Sequence, residues 1–290
     1  MKKIGIIRGG NLKYKKSLDR GSHILRHLFP SKKYKTVDIL IDKNGIWHLN
    51  GLPADFEKIF HIIDIAFNTT FDKEINHILN HWKVPSVGSG PFDSAICNHK
   101  VMVREKLHNL GFKIPKHIVF PVYQEDFDGD QNDYPIRRAK EVWGKLPPPL
   151  IVKPLSSHSN MAIHICKSFP ELVHAFEDGL NHNVSVIVEE FIEGKQARVQ
   201  VVEGFRGQDL YSFPVNGIFS LEEKKNLEEL ACLVHNGFDL DHCSQSNFVV
   251  KNNNVYVLSV KTFPDLEEDF SGNVGSNHLE FLEHLVDQVT

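Results

Sequence analysis

The sequence predicts an α/β region built on an open, mostly parallel sheet, followed by an α+β region of short strands and hairpins. Three observations carry that expectation. In the first third, short apolar runs at 4–7, 37–41, 62–67 and 84–87 alternate with amphipathic stretches, the rhythm of βαβ units. From residue 150 onward, strand-like runs follow one another with turn residues between them. With 290 residues, 41% hydrophobic and 24% charged, the chain has globular composition and a length suited to about two domains of roughly 100–200 residues each.

Between the third and fourth runs, Phe71, Ile75, Ile78, Leu79 and Trp82 recur at helical spacing, so one face of that helix should lie on the sheet. The fourth run ends at the turn Gly88, Ser89, Gly90. A helix over 100–110 leads through Gly111 to a strand at 117–120. The acidic stretch 125–130 reads as a solvated loop. An EF-hand needs glycine at its sixth position and glutamate at its twelfth, whereas counting from Asp126 the glycine Gly129 is fourth and Arg137 is twelfth. Strands are expected at 150–153, 161–165, 184–189, 198–202, 210–213, 248–250 and 255–260. The asparagines at 252–254 make a tight turn, and one helix interrupts the strands with Leu227, Leu230, Ala231 and Val234 on its buried face.

A net charge of -4 gives no bulk attraction for nucleic acid or anionic lipid, so neither is expected as a partner and any anion site must be local. Cys97, Cys166, Cys232 and Cys243 show no CxxC spacing, which points to free thiols in a reducing compartment. No run approaches membrane-spanning length and the N-terminal apolar run is too short for a signal peptide, so the expected location is cytoplasmic. Among 17 histidines, His23 with His27 and His77 with His81 are four apart on predicted helices. No glutamate completes HExxH and no third ligand stands out in the sequence, so both pairs read as solvated helix faces and no metal is expected from them.

Several motifs then fall in one order: IGIIRGG at 4–10 with Ser17, Leu18 and Gly21; AFN at 66–68; VPSVGSG at 84–90; His99 and Lys100; LGFKIP at 110–115; IVKP at 151–154; VEEFIEG at 188–194; SNF at 246–248; and VYVL at 255–258. The ordered set, covering nearly the whole chain, resembles the D-alanine:D-alanine ligases of the ATP-grasp superfamily. The resemblance implies an N-terminal α/β domain (1–95), a central ATP-grasp lobe (96–185) and a C-terminal lobe (186–290). Such enzymes phosphorylate a carboxylate with ATP and let an amine attack the acyl phosphate. By the same resemblance, Lys100 and Lys153 reach nucleotide phosphates, Glu189 accepts from the adenine amino group, and Glu190, Phe191 and Ile192 line the base. Gln196 stands at the ribose position, and Ser159 lies in the phosphate-covering loop as the one weak catalytic candidate. That loop carries His158 and Ala162 where the family has glycines, which restricts the backbone approach to phosphate.

The magnesium site departs from the family pattern, an Asp on one strand and Glu-x-Asn on the next. This chain has Asn247, Ser259 and Lys261. An ammonium about 4 Å from a phosphate oxygen contributes about 4 kcal/mol at an effective dielectric near 20, short of the roughly 8 kcal/mol or more that enzymatic rate enhancement requires. The intermediate-stabilising arginine aligns with Gln245, and the amine-binding glutamate with the Lys13, Tyr14, Lys15, Lys16 cluster. The lid expected after Asn216 gives way directly to a helix, and the His-Gly pair expected after Asn68 is missing. The expectation is therefore a catalytically impaired protein, a pseudoenzyme, that binds ATP, another nucleotide or an anion, with magnesium in doubt. The alternative is an active ligase for an unknown carboxylate or amine, with its metal relocated to Asp265, Glu267, Glu268 and Asp269; a bare scaffold is the third reading. Dimers are common in the resembled family, which makes a homodimer the assembly to test.

Overall fold

A computed structural model describes residues 1–156, 159, 161–265 and 277–289. The chain opens with β1 (Lys2–Gly9), α1 (Tyr14–Leu28), β2 (Tyr34–Ile41), β3 (Trp47–Leu49), β4 (Leu52–Pro53), α2 (Phe56–Phe60), β5 (Ile65–Asn68), α3 (Lys73–His81), β6 (Ser86–Val87) and α4 (Pro91–Asn98). Their six-stranded sheet has the order β4-β3-β2-β1-β5-β6. The four strands expected from the apolar runs pair in parallel, while β3 and β4 add an antiparallel edge. β1 is buried on both faces, as a central parallel strand must be. Ile4 and Ile6 enter one core with Ile24 and Leu28 of α1, and Ile7 enters the other with Ile39, Ile59 and Leu79. Along α1, Ser17, Gly21, Ile24 and Leu28 are buried at spacings of four, three and four, one helical stripe.

Next come α5 (Lys100–Asn109), β7 (His117–Phe120), α6 (Glu125–Asp128), α7 (Tyr134–Trp143), β8 (Leu150–Pro154), β9 (His164–Cys166), α8 (Phe169–Asn181) and β10 (Val186–Glu190). The strands form an antiparallel sheet ordered β7-β10-β8-β9. Leu150, Val152, Val186 and Val188 bury one face against Ala139 and Val142 of α7 and Leu172, Ala175 and Phe176 of α8. α8 was not expected from the sequence. Its start is fixed by a capping box in which the Ser168 side chain accepts from a backbone amide and Glu171 reaches back to the Ser168 amide. The acidic stretch expected as a loop contains one helical turn, α6, with no buried residue.

The chain continues with β11 (Lys195–Glu203), β12 (Leu210–Ser212), α9 (Leu221–Gly237), β13 (Cys243–Lys251), β14 (Asn254–Lys261) and α10 (His278–Val289). The sheet order is β12-β11-β13-β14. Asn252 and Asn253 both have positive φ, 49° and 61°, so the expected asparagine turn between β13 and β14 is formed. α10, also unexpected, places Phe281, Leu282, Leu285 and Val286 into the core that holds Ile4 and Ile24.

Contacts group the chain into two compact units, 1–95 with 198–246 and 261–290, and 96–197 with 247–260. The boundaries of this grouping differ from those of the three lobes that the resemblance implies. Among the described residues no helix is long and apolar enough to cross a membrane.

Candidate functional site

In the unit formed by 96–197 and 247–260, strand periodicity decides which side chains share a face. Leu150 and Val152 face the helices, so Ile151 and Lys153 face the other way. Glu189 pairs with Ile151 across the antiparallel ladder, which puts it on the same face as Lys153, one diagonal step away. The Lys153 ammonium lies 2.5 Å from the Glu189 carboxylate. From α5, Arg104 reaches the same carboxylate, its Nε donating at 2.7 Å. The two remaining guanidinium nitrogens of Arg104 donate to the Val257 and Leu258 carbonyls at 3.3 and 2.9 Å.

This triad is almost wholly buried: Arg104 is 2% exposed and Glu189 1%. Burial alone would raise the Glu189 carboxyl, but the charges of Lys153 and Arg104 and their hydrogen bonds outweigh it and hold the group ionised, below the usual range. Burial pulls the Lys153 ammonium down and Arg104 adds to that, with Glu189 opposing. Two cations around one carboxylate leave a net positive charge. A carboxylate has about four acceptor positions, so the two donors leave Glu189 further capacity.

Lys100 begins α5, and its ammonium donates to the Leu155 carbonyl at 3.3 Å. A β-bridge between His99 and Ser156 fixes the start of α5 to the segment that follows β8. Within that segment, the Ser159 hydroxyl accepts from the Met161 amide at 3.1 Å, while His158 lies outside the described residues. Glu190, Phe191 and Ile192 are half-buried at the end of β10. The Glu190 and Phe191 amides donate to the Lys116 and Pro149 carbonyls, both at 3.0 Å, and Gln196 is exposed on β11. At the expected metal position, the Asn247 side-chain amide donates to the Ser259 hydroxyl at 2.7 Å. Arg104, the residue that organises this face, was not singled out from the sequence. Its only signal there is its position between Val103 and Leu107 on the buried side of α5.

The other unit carries a cationic cluster. Lys13, in a left-handed conformation at φ 48°, immediately precedes α1. Lys13 and Lys16 lie over the Phe71 ring at 5.4 and 6.0 Å, and the Arg20 guanidinium lies over the same ring at 5.0 Å. Asp265 pairs with Lys261, with Arg20 at 3.1 Å and with Lys16 at 3.7 Å. Although burial opposes it, these cations, led by the Lys261 hydrogen bond, bring the Asp265 carboxyl down to about 2. Burial and the charges of Lys16, Lys261 and Arg20 lower the Lys13 ammonium. Gln245, fully buried, accepts from the Asp265 amide at 3.0 Å. Asp265 is thus held by three cations, while Glu267, Glu268 and Asp269 lie outside the described residues.

The glycine loop before α1 is built for close packing. Gly9 has φ +92°, its amide donates to the buried Ser17 hydroxyl at 2.8 Å, and a Cβ there would fall on the Ile41 carbonyl oxygen. α9 begins at Leu221 with Ser220 as its cap, directly after the segment where a lid was expected. The histidine expectation divides: His77 and His81 are exposed on α3, but His23 and His27 are half-buried, and α10 brings His278 against them as the third histidine that the sequence did not reveal.

The family described as D-ala D-ala ligase C-terminus matches residues 107–219. A D-alanine–D-alanine ligase of Fervidobacterium nodosum is 23% identical over 296 residues, covering 91% of this chain and 90% of its own. The VanG D-Ala:D-Ser ligase of Enterococcus faecalis superposes with a TM-score of 0.80 at 19% identity, covering 100% of this chain and 99% of its own. Residues 107–219 thus resemble the C-terminal part of D-alanine–D-alanine ligases, and the chain as a whole shares the ATP-grasp fold of these structures. The Bacillus anthracis D-alanine–D-alanine ligase, in complex with ATP, superposes with a TM-score of 0.76 at 19% identity, covering 100% of this chain and 97% of its own.

Proposed function

We propose that this chain binds ATP or a related nucleotide through Lys100, Lys153 and the β10 end, and that it has lost carboxylate–amine ligation. The observation that carries the reading is the donor set at Asn247, Ser259 and Lys261. Magnesium is held by hard oxygen ligands, above all carboxylates. Here an amide and a hydroxyl satisfy each other at 2.7 Å, and an ammonium two positions further along β14 pairs with Asp265. These residues do not fit a magnesium ion bridging phosphate oxygens, so no step of a reaction is derived through one.

In this reading, Lys100 and Lys153 neutralise phosphate as point charges on long stems. The Arg104 network holds Lys153 in place and keeps the Glu189 carboxylate ionised and able to accept from an adenine amino group. Phe191 and Ile192 supply apolar surface for the base, and Gln196 stands beside the ribose. The Lys13, Lys16, Arg20 and Lys261 cluster replaces an acidic substrate contact with positive charge, which favours an anionic small molecule there rather than an amine. The division into lobes at 1–95, 96–185 and 186–290 belongs to the same proposal.

Equilibrium binding of ATP to the full chain in excess chelator tests the reading. Binding without metal, weakened at least about tenfold (about 1.4 kcal/mol) by Lys100→Met or Lys153→Met, is expected. Equal affinity in wild type and both variants would remove these lysines from the site and with them the proposal.

A further inference from the structure

We infer that His23, His27 and His278 form a binding site for a divalent late transition-metal ion, zinc or its chemical neighbours copper and nickel. It shares no residue with the proposed nucleotide site. His23 and His27 stand one turn apart on α1, where residues at i and i+4 share a face. His278 is the first residue of α10 and meets both rings, with centroids 4.8 Å from His23 and 4.5 Å from His27; the His23 and His27 rings are 4.3 Å apart. One donor nitrogen from each ring can be chosen so that all lie within 4.8 Å of one another. His23 Nε2 and His278 Nδ1 are already 3.3 Å apart.

Those separations suit one ion. Zinc–nitrogen bonds of about 2.0–2.1 Å in a tetrahedron place ligand nitrogens about 3.3–3.4 Å apart. The His23–His278 pair has that spacing, and modest rotation of half-exposed rings brings in the third. Among the described residues no carboxylate or thiol joins the three nitrogens. An all-imidazole set selects zinc, copper or nickel over magnesium or calcium, which take oxygen. Three protein ligands leave a fourth position open to water or an incoming group.

The fold holds the third ligand in register. α10 packs Phe281, Leu282 and Leu285 into the core that contains Ile24 and Leu28 of α1. Beyond the histidines, the Ser31 hydroxyl donates to Glu283 at 2.6 Å, and Lys33 at 3.3 Å and the Tyr34 hydroxyl both donate to Asp287. These contacts tie the middle and end of α10 to the connection between α1 and β2, and with the shared core they bring the three rings together without an ion.

The test is calorimetric titration of zinc chloride into chelator-treated, desalted full-length protein, with cobalt(II) as a spectroscopic probe. One zinc ion per chain is expected. His278→Ala and His27→Gln should each weaken it at least about a hundredfold, since even loss of a group that only orients a ligand costs about 10–100-fold. The paired control His77→Gln with His81→Gln should leave affinity unchanged. Cobalt(II) on wild type should give the intense visible absorption of a four-coordinate ion, a readout independent of whether any variant folds. Wild-type protein that binds no zinc, or variants that bind it as wild type does, would overturn the site. So would cobalt(II) with only the weak spectrum of the hydrated ion.

Discussion

Replacing Arg104 with alanine is the sharpest probe of how the nucleotide face is held. The guanidinium makes hydrogen bonds of 2.7, 3.3 and 2.9 Å to Glu189, Val257 and Leu258, and it is 2% exposed. Truncation removes the donors for two carbonyls and one of the two cations that neutralise a buried carboxylate. Breaking a buried ion pair from one side costs about 3–5 kcal/mol. Lys153 remains 2.5 Å from Glu189, so the carboxylate is not left unpaired and the low end, about 3 kcal/mol, is expected. Urea unfolding followed by fluorescence would show the shift as a lower midpoint at unchanged slope. Completing a double-mutant cycle with Glu189→Ala should give a coupling of at least about 1 kcal/mol, because the partners share one network. A cost below about 1 kcal/mol for Arg104→Ala, with a cycle additive within about 0.5 kcal/mol, would refute the argument that this triad organises the face.

Other consequences follow from the same geometry. Gly9→Ala forces an L-residue to φ +92° and sets a methyl on the Ile41 carbonyl, so a loss of at least about 1–3 kcal/mol is expected by thermal melting. Asp265 is depressed to about 2, so its contribution is present above its unfolded value near 3.8 and is lost as pH falls through about 2. That contribution is about 2 kcal/mol, and Asp265→Asn should abolish the corresponding part of the acid dependence of unfolding. His23 is pulled down to about 4 by burial and by His27, His278 and Arg26. The unfolded chain therefore binds its proton first, and in chelator the urea midpoint should fall as pH is lowered from about 6.5 toward 4 and less so in His23→Gln. Installing Asn247→Asp, Ser259→Glu and Lys261→Asn together should make ATP binding at least about tenfold tighter with magnesium than without it, measured by calorimetry.

The sequence disclosed most of the fold because its signals there are local. The apolar runs of β1, β2, β5 and β6 and the asparagine turn before β14 each carry their pattern within a few residues. β3 and β4 are too short to show a period. α8 is legible in principle from the Ser168–Glu171 box and the spacing of Leu172, Ala175, Phe176 and Gly179, but these positions lie between strand-like runs that mask the helical period. In the site, Lys153 and Glu189 were found by resemblance, but their pairing depends on the register between β8 and β10. Arg104 was hidden because a buried arginine reads as an interruption of an apolar stripe until its carboxylate is known. His278 lies 255 residues from His23, and nothing local in either helix announces that α10 docks on α1.

The most direct test of the central claim is ATP titrated into the full chain in excess chelator and then in saturating magnesium, with phosphate release followed in both. The account predicts the same affinity in the two conditions and no turnover. Binding that requires magnesium, accompanied by phosphate release, would contradict it.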